Sequence, residues 1–294
     1  MRPWGERRVT PYAEVAYFPA MEALPSSPDL SAYFSRIGYA GPATPTLATL
    51  RAIQLAHLQA VPFENIDVLL GRTIDIAPAA IEAKIVRAAR GGYCFEQNTL
   101  FREALRMIGF NVTRLLSRVR RNVPPDVRTP LTHMVLLVEL EGRQWLADVG
   151  FGSVGTTAPL ALDRTDEQET PHEPHRLLRK NGTILHQAKL GGEWADVYEF
   201  VPEEPAPIDF ELGNWFSCTH PNSHFRSNLI VTRVDGAKRL SIFNREFTER
   251  GLDGRADTRV IATPEDLLDL LTRRFGLNLP AGTRIDIPAA PWDE

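Results

Sequence analysis

The chain has 294 residues, 43% hydrophobic and 24% charged, with a formal net charge of −4 from 33 Lys and Arg against 37 Asp and Glu. These are the proportions of a globular protein with room for a sizeable core, and the mild negative charge argues against a general nucleic-acid surface. Two cysteines, Cys94 and Cys218, exclude a disulfide framework, and no run is long and apolar enough for a secretory signal or a membrane span, so a cytoplasmic protein is expected.

Residues 1–27 are rich in Pro and Arg and read as an irregular N-terminal extension. Helical patterning begins at Asp29. Leu30, Tyr33, Phe34 and Ile37 form one stripe, and Leu47, Leu50, Ile53, Leu55 and Leu58 crowd a second helix. A third is predicted over 80–89, broken by Gly91-Gly92. The next starts at Cys94, with Phe101, Leu105 and Ile108 at i, i+4 and i+7 and Gly109 as its stop. From Val112 the pattern turns to strands over 112–116, 133–140 and 144–149, then 176–178, 183–188 and 197–200, an antiparallel sheet or small barrel. Glu203-Glu204-Pro205-Ala206-Pro207 marks a linker. The remainder mixes strands over 229–233 and 239–243 with one clear helix, opened by Thr263-Pro264-Glu265-Asp266.

The most telling stretch is Arg90-Gly91-Gly92-Tyr93-Cys94-Phe95-Glu96-Gln97-Asn98. It sets a thiol on the first turn of a helix, where the positive end of the macrodipole favours thiolate, behind two glycines that permit a sharp turn and close approach. The stretch reads as a nucleophile mount. Glu64 and Arg90 are expected to pair and brace it. Cys218, with no acid–base partner suggested, reads as structural or cleft-lining.

Hairpin geometry supplies partners for the thiol. With Glu141-Gly142 as the tight turn and Leu140 opposite Arg143, Asp148 falls opposite Val135, and His133 becomes its diagonal neighbour on the same face. A register shift of two sets His133 and Asp148 directly opposite, whereas a shift of one separates them. An Asp that orients an imidazole, and an imidazole that serves a thiol, make a Cys94-His133-Asp148 relay. Gly150-Phe151-Gly152-Ser153-Val154-Gly155-Thr156-Thr157-Ala158-Pro159-Leu160 follows directly and offers backbone N–H groups to an anion such as a pyrophosphate. It lacks the Lys-Ser/Thr ending of a nucleotide-hydrolysing loop.

These residues resemble the arylamine N-acetyltransferase family, of the bacterial type. The matching pieces are Pro62-Phe63-Glu64-Asn65, the Arg90–Asn98 stretch, Thr132-His133, Asp148-Val149-Gly150-Phe151-Gly152, and Asn214-Trp215-Phe216-Ser217-Cys218-Thr219-His220-Pro221-Asn222-Ser223-His224-Phe225. The resemblance covers about residues 30 to 245. It implies an α+β fold with a cysteine-protease-like Cys-His-Asp core: a helical domain (28–111), an antiparallel β-barrel (112–207) and a C-terminal α/β lid (208–294). It implies Cys94, His133 and Asp148 as the catalytic triad and acetyl-coenzyme A as cosubstrate, with no metal. Phe151, Gly152, Ser153, Thr219 and His220 would border the coenzyme, while Tyr93 and Phe151 would offer flat contacts to an arylamine or hydrazine acceptor. The protein is expected as a monomer or homodimer. A macrolactam-forming amide synthase with the same triad is the alternative.

Overall fold

The structure, a computed structural model, describes residues 28–292; the predicted N-terminal extension lies outside the described residues. Helix α1 (Leu30–Ile37) starts on Asp29, whose carboxylate accepts from Ala32 N, and stops at Gly38 in the left-handed region. Helix α2 (Leu47–Ala60) is capped by the Thr46 hydroxyl. A two-residue strand β1 (Phe63–Glu64) and the short helices α3 (Ile66–Leu69) and α4 (Pro78–Ile81) follow. The helix predicted over 80–89 is α4 running into a π-helical turn, Glu82–Arg87, where Ala88 N reaches Ala83 O, five residues back. Helix α5 (Cys94–Ile108) ends at Gly109, φ +104°. Its Phe101 and Leu105 share a core with Tyr33, Leu50 and Ile53, so α5 is the centre of this part.

Seven strands then form one antiparallel sheet: β2 (Asn111–Val119), β3 (Leu131–Leu140), β4 (Arg143–Ala147), β5 (Leu160–Ala161), β6 (His175–Lys180), β7 (Thr183–Leu190) and β8 (Glu193–Phe200). Their order is β5-β4-β3-β2-β8-β7-β6. Gln168 draws the two edges together. Its side chain bonds both backbone atoms of Ala161 beside β4, and its own backbone bonds His175 in both directions. This near-closure leaves little free edge. The apolar run Met134 to Val138 is buried on both faces: Met134, Leu136 and Val138 pack with α5, while Val135 and Leu137 point into the barrel. The hairpin has the expected register, Leu140↔Arg143 through Leu136↔Ala147, with Glu141 and Gly142 both at positive φ. β4 ends at Ala147, however, so Asp148 and Val149 lie in the following loop rather than on the strand.

Helix α6 (Pro207–Thr219) was not legible in the sequence. Pro207 reads as linker but sits at the first helical position, where proline is tolerated. The apolar residues of α6 point both ways, with Phe210 and Cys218 buried and Ile208, Leu212 and Trp215 exposed, so no stripe marks it. A Cβ on Gly213 would lie 2.8 Å from the Phe95 ring and 2.9 Å from Leu131 O; the glycine lets α6 lie across the starts of α5 and β3. Strands β9 (Ile230–Asp235), β10 (Lys238–Phe243), β11 (Glu246–Gly251) and β12 (Ala256–Val260) precede helix α7 (Pro264–Arg273), capped by Thr263 as predicted. Their sheet has the order β1-β9-β10-β11-β12, with Phe63↔Thr232 and Glu64↔Val231. The helical region thus contributes an edge strand to the C-terminal sheet. Among the described residues no helix is long and apolar enough to cross a membrane.

Candidate active site

The turn before Cys94 is fixed by close packing. A Cβ on Gly91 would stand 2.2 Å from Pro62 O, and one on Gly92 2.7 Å from a Glu96 carboxylate oxygen, so only glycine fits either place. Glu64 N bonds Gly92 O at 3.0 Å, and Tyr93 N donates to Glu96 Oε2 at 3.0 Å, the backward half of a capping box. The expected Glu64–Arg90 pair forms: Arg90 Nη2 and Nε lie 2.7 and 3.1 Å from Glu64 Oε1, with the carboxylate fully buried. Asp67 and Lys84 extend the network. Lys84 Nζ lies 2.8 Å from Asp67 Oδ2 and 2.7 Å from Glu96 Oε1, and Arg90 lies 3.4 Å from Asp67. Burial pushes the Glu96 carboxyl up to about 7 against the pull of Lys84.

His133, on β3, and Asp148, in the loop after β4, meet as the hairpin predicts: His133 Nε2 lies 2.9 Å from Asp148 Oδ2, both buried. Nδ1 is then the ring nitrogen left on the side away from Asp148, and the Cys94 sulfur adds to what favours the charged ring. Cys94 Sγ also lies 3.5 Å from Thr132 O. Burial works against a charged imidazole here, but the Asp148 carboxylate outweighs it and, with Cys94, pushes His133 up to about 10. The same pairing holds Asp148 below the ordinary carboxylate range despite its burial. The constellation is a thiol, an imidazole whose charged form is favoured by its bonded carboxylate, and that carboxylate, all three buried.

Sequence reasoning assigned no role to Asn98. One turn along α5 from Cys94, its Nδ2 donates to Asp148 Oδ1 at 2.9 Å and to Met134 O at 2.7 Å, while its Oδ1 accepts from Val149 N. Gly150 N gives Asp148 Oδ1 a further bond at 2.8 Å. The i, i+4 spacing from Cys94 was the available signal. Gln54 Nε2 reaches Asp148 O at 3.3 Å, and nothing local marked it. No local pattern marks Tyr198 either, whose ring centre lies 5.0 Å from that of His133.

The remaining predicted residues fall around this centre. Phe151, half-buried, sets its ring edge-on to His133 at 5.1 Å. Gly152 takes φ +77°, and Ser153 is exposed. Tyr93 is fully buried: its ring packs on Phe95 and Phe225, and its hydroxyl bonds the Asn214 side chain, tying α5 to α6. Thr219 and His220 close α6, half-buried, with the imidazole stacked on Phe216 at 4.5 Å. Cys218 is buried at the same end, 3.3 Å from Thr219 Oγ1.

Comparison with known proteins identifies the family. A family model described as N-acetyltransferase matches residues 46–284. The chain is 41% identical over 255 residues to an arylamine N-acetyltransferase of Escherichia coli (strain K12), covering 86% of this chain and 90% of that protein. It is 43% identical over 253 residues to an arylamine N-acetyltransferase / N-hydroxyarylamine O-acetyltransferase of Salmonella typhimurium (strain LT2), covering 85% and 89%. The solved structure of Mycobacterium marinum arylamine N-acetyltransferase in complex with CoA matches with a TM-score of 0.82 at 37% identity, over 85% of this chain and 93% of that one. By sequence and by fold, the chain belongs to the arylamine N-acetyltransferase family, a family of acyltransferases.

Proposed function

We propose that this protein acetylates arylamines and arylhydrazines with acetyl-coenzyme A, by a ping-pong mechanism through an acetyl-Cys94 intermediate. The observation that carries the reading is the buried grouping of Cys94, at the start of α5, with a His133 imidazole bonded at 2.9 Å to the Asp148 carboxylate. The relatives named as arylamine N-acetyltransferases support acetyl-coenzyme A as donor over a carrier-bound chain.

In the first half-reaction the Cys94 thiolate attacks the thioester carbonyl. The bond to the coenzyme sulfur breaks, the coenzyme leaves as a thiol with the proton of imidazolium His133, and the acetyl group stays on Sγ. In the second half-reaction a neutral arylamine attacks the acetyl carbon. His133, now neutral, takes the amine proton, and the Cys94 thiolate is expelled with its imidazolium partner restored. Asp148 fixes the tautomer that leaves Nδ1 facing the sulfur and stabilises each return to the charged ring. The Cys94 backbone N–H, one of the unpaired donors of a helix start, is the candidate oxyanion donor. We assign Gly152, Ser153, Thr219 and His220 to the coenzyme and the half-exposed Phe151 to the acceptor ring and the coenzyme cleft. Tyr93 serves as a mount for the helix start.

Mass spectrometry after incubation with acetyl-coenzyme A and no acceptor tests the reading. One acetyl adduct on Cys94 is expected, discharged by an aromatic hydrazine. It should be absent in Cys94→Ala and unchanged in Cys218→Ala. Folded wild-type protein that takes up no acetyl group would overturn the proposal.

A further inference from the structure

The loop between Asp148 and β5 is tied down at two ends, and only the first belongs to the reacting centre. At that end Gly150 N donates to Asp148 Oδ1, and Gly150 presses so closely on α5 that a Cβ would stand 2.6 Å from Cys94 Cα. Phe151 then sets its ring against His133. Gly152, at φ +77°, backs onto the C-terminal sheet, where a Cβ would meet Thr232 Oγ1 at 2.6 Å, and Gly155 N closes a turn on Gly152 O at 2.9 Å. At the far end Gly155 O accepts from Arg239 Nη2 at 2.8 Å. Arg239 comes from β10, is buried, and is gripped by Glu173, with Nε 3.0 and 2.9 Å from the two carboxylate oxygens and Nη2 2.6 Å from Oε2. Arg250, on β11, holds Glu173 Oε1 at 2.7 Å and lacks the bond to Gly155 O that Arg239 makes.

A planar guanidinium that spans a carboxylate and a carbonyl fixes the carbonyl in direction as well as distance. We infer that Arg239, held by Glu173, is a positioning residue for the reaction: through Gly155 O it sets the path of the Gly150–Gly155 loop, and so the seating of Phe151 on His133. The inference rests on the reading of Cys94 and His133 as the reacting pair. It makes the C-terminal sheet part of the active-site support, although Arg239 touches none of the three reacting side chains. An ammonium has no planar fork with which to hold both oxygen partners, so Arg239→Lys keeps the charge beside Glu173 and loses the directed hold on the loop.

The test compares Arg239→Lys, Arg239→Gln and Arg250→Gln by two single-turnover measurements: acetylation of Cys94 by acetyl-coenzyme A, and alkylation of Cys94 by iodoacetamide between pH 6 and 9. Each rate is normalised to the fraction of protein that can be labelled, so loss of folded enzyme drops out. Both Arg239 variants should acetylate more slowly per competent site by about tenfold, equivalent to about 1.4 kcal/mol of barrier, and show a displaced pH profile of alkylation. Arg250→Gln, which removes a Glu173 contact without touching the loop, should lower the melting temperature and leave both per-site measurements as in the wild type. If Arg239→Gln does not fold, Arg239→Lys decides alone. Wild-type rates and pH profile in folded Arg239 variants overturn the inference, as does an equal loss in Arg250→Gln. Failure of the acetyl-coenzyme A reading is distinguishable, because wild-type Cys94 would then alkylate without ever taking up an acetyl group.

Discussion

Buried histidines behave in opposite ways in two parts of this molecule. At the mouth of the hairpin His133 is enclosed and yet pushed up to about 10, whereas in the wall of the barrel His175 is enclosed and pushed down to about 3. His175 Nδ1 lies 2.9 Å from His186 Nε2, an imidazole paired with an imidazole, and among the described residues no carboxylate is hydrogen-bonded to either. His57, buried among the helices between Tyr33 and Gln97, also falls to about 3. Burial alone penalises the charged ring in all of these places. Asp148 reverses the sign at one of them, and Asp148 is itself held by Asn98 and Gly150 N. A carboxylate with its own fixed partners, rather than enclosure, decides the direction in which a buried histidine is shifted.

The severest way to break this contrast is to remove the charge and keep the shape. Asp148→Asn should lower the acetylation rate by roughly 10³ to 10⁴, as in other relays that lose their orienting carboxylate, and should drop the His133 titration seen by NMR from near 10 to below 6.5. An unchanged His133 titration would show that Asp148 is not what sets the ring's charge.

Next in size is the other paired charge of this region. Glu64→Ala leaves Arg90 buried with only the more distant Asp67, at 3.4 Å. A loss of about 3 kcal/mol in urea unfolding is expected, larger than its effect on the rate per competent site. Wild-type stability would mean that the Glu64–Arg90 pair braces nothing.

The smaller, graded effect is on stability against pH. His57 and His175 have folded values below their ordinary 6.5, so their contribution is complete above that pH and is lost as the pH falls from 6.5 toward 3. Each should withdraw up to about 1.4 kcal/mol per pH unit over that window. His133, with its folded value raised, contributes in the opposite direction: its share is complete below 6.5 and disappears as the pH rises through about 10. Urea midpoints measured at pH 7.5, 6 and 5 should therefore decline, and less steeply in His175→Asn. A decline that is unchanged in that variant removes His175 from the account.

The Cys94 helix carried its structure in local signals: a glycine pair before it, a cysteine at its start, an i, i+4, i+7 apolar stripe and Gly109 as its stop. The hairpin was equally legible, because its tight turn fixed the register and the register placed His133 beside Asp148. Helix α6 was not legible, since apolar residues on both of its sides erase the periodicity that betrays a helix. Strand β1 was hidden in a helical region because two residues show no alternation, and its pairing with β9 bridges more than 160 positions of sequence.

By itself, then, the sequence determined the thiol's mount, the imidazole's partner and the family to which they point, because each rests on contacts within a helix turn or across a single hairpin. Only the tertiary structure decided what holds that centre in place. Gln54 on Asp148, Gly213 under α6 and Arg239 on Gly155 join residues more than 80 positions apart. Such contacts leave no local periodicity or spacing to read; they exist because the folded chain buries polar groups that must then find partners.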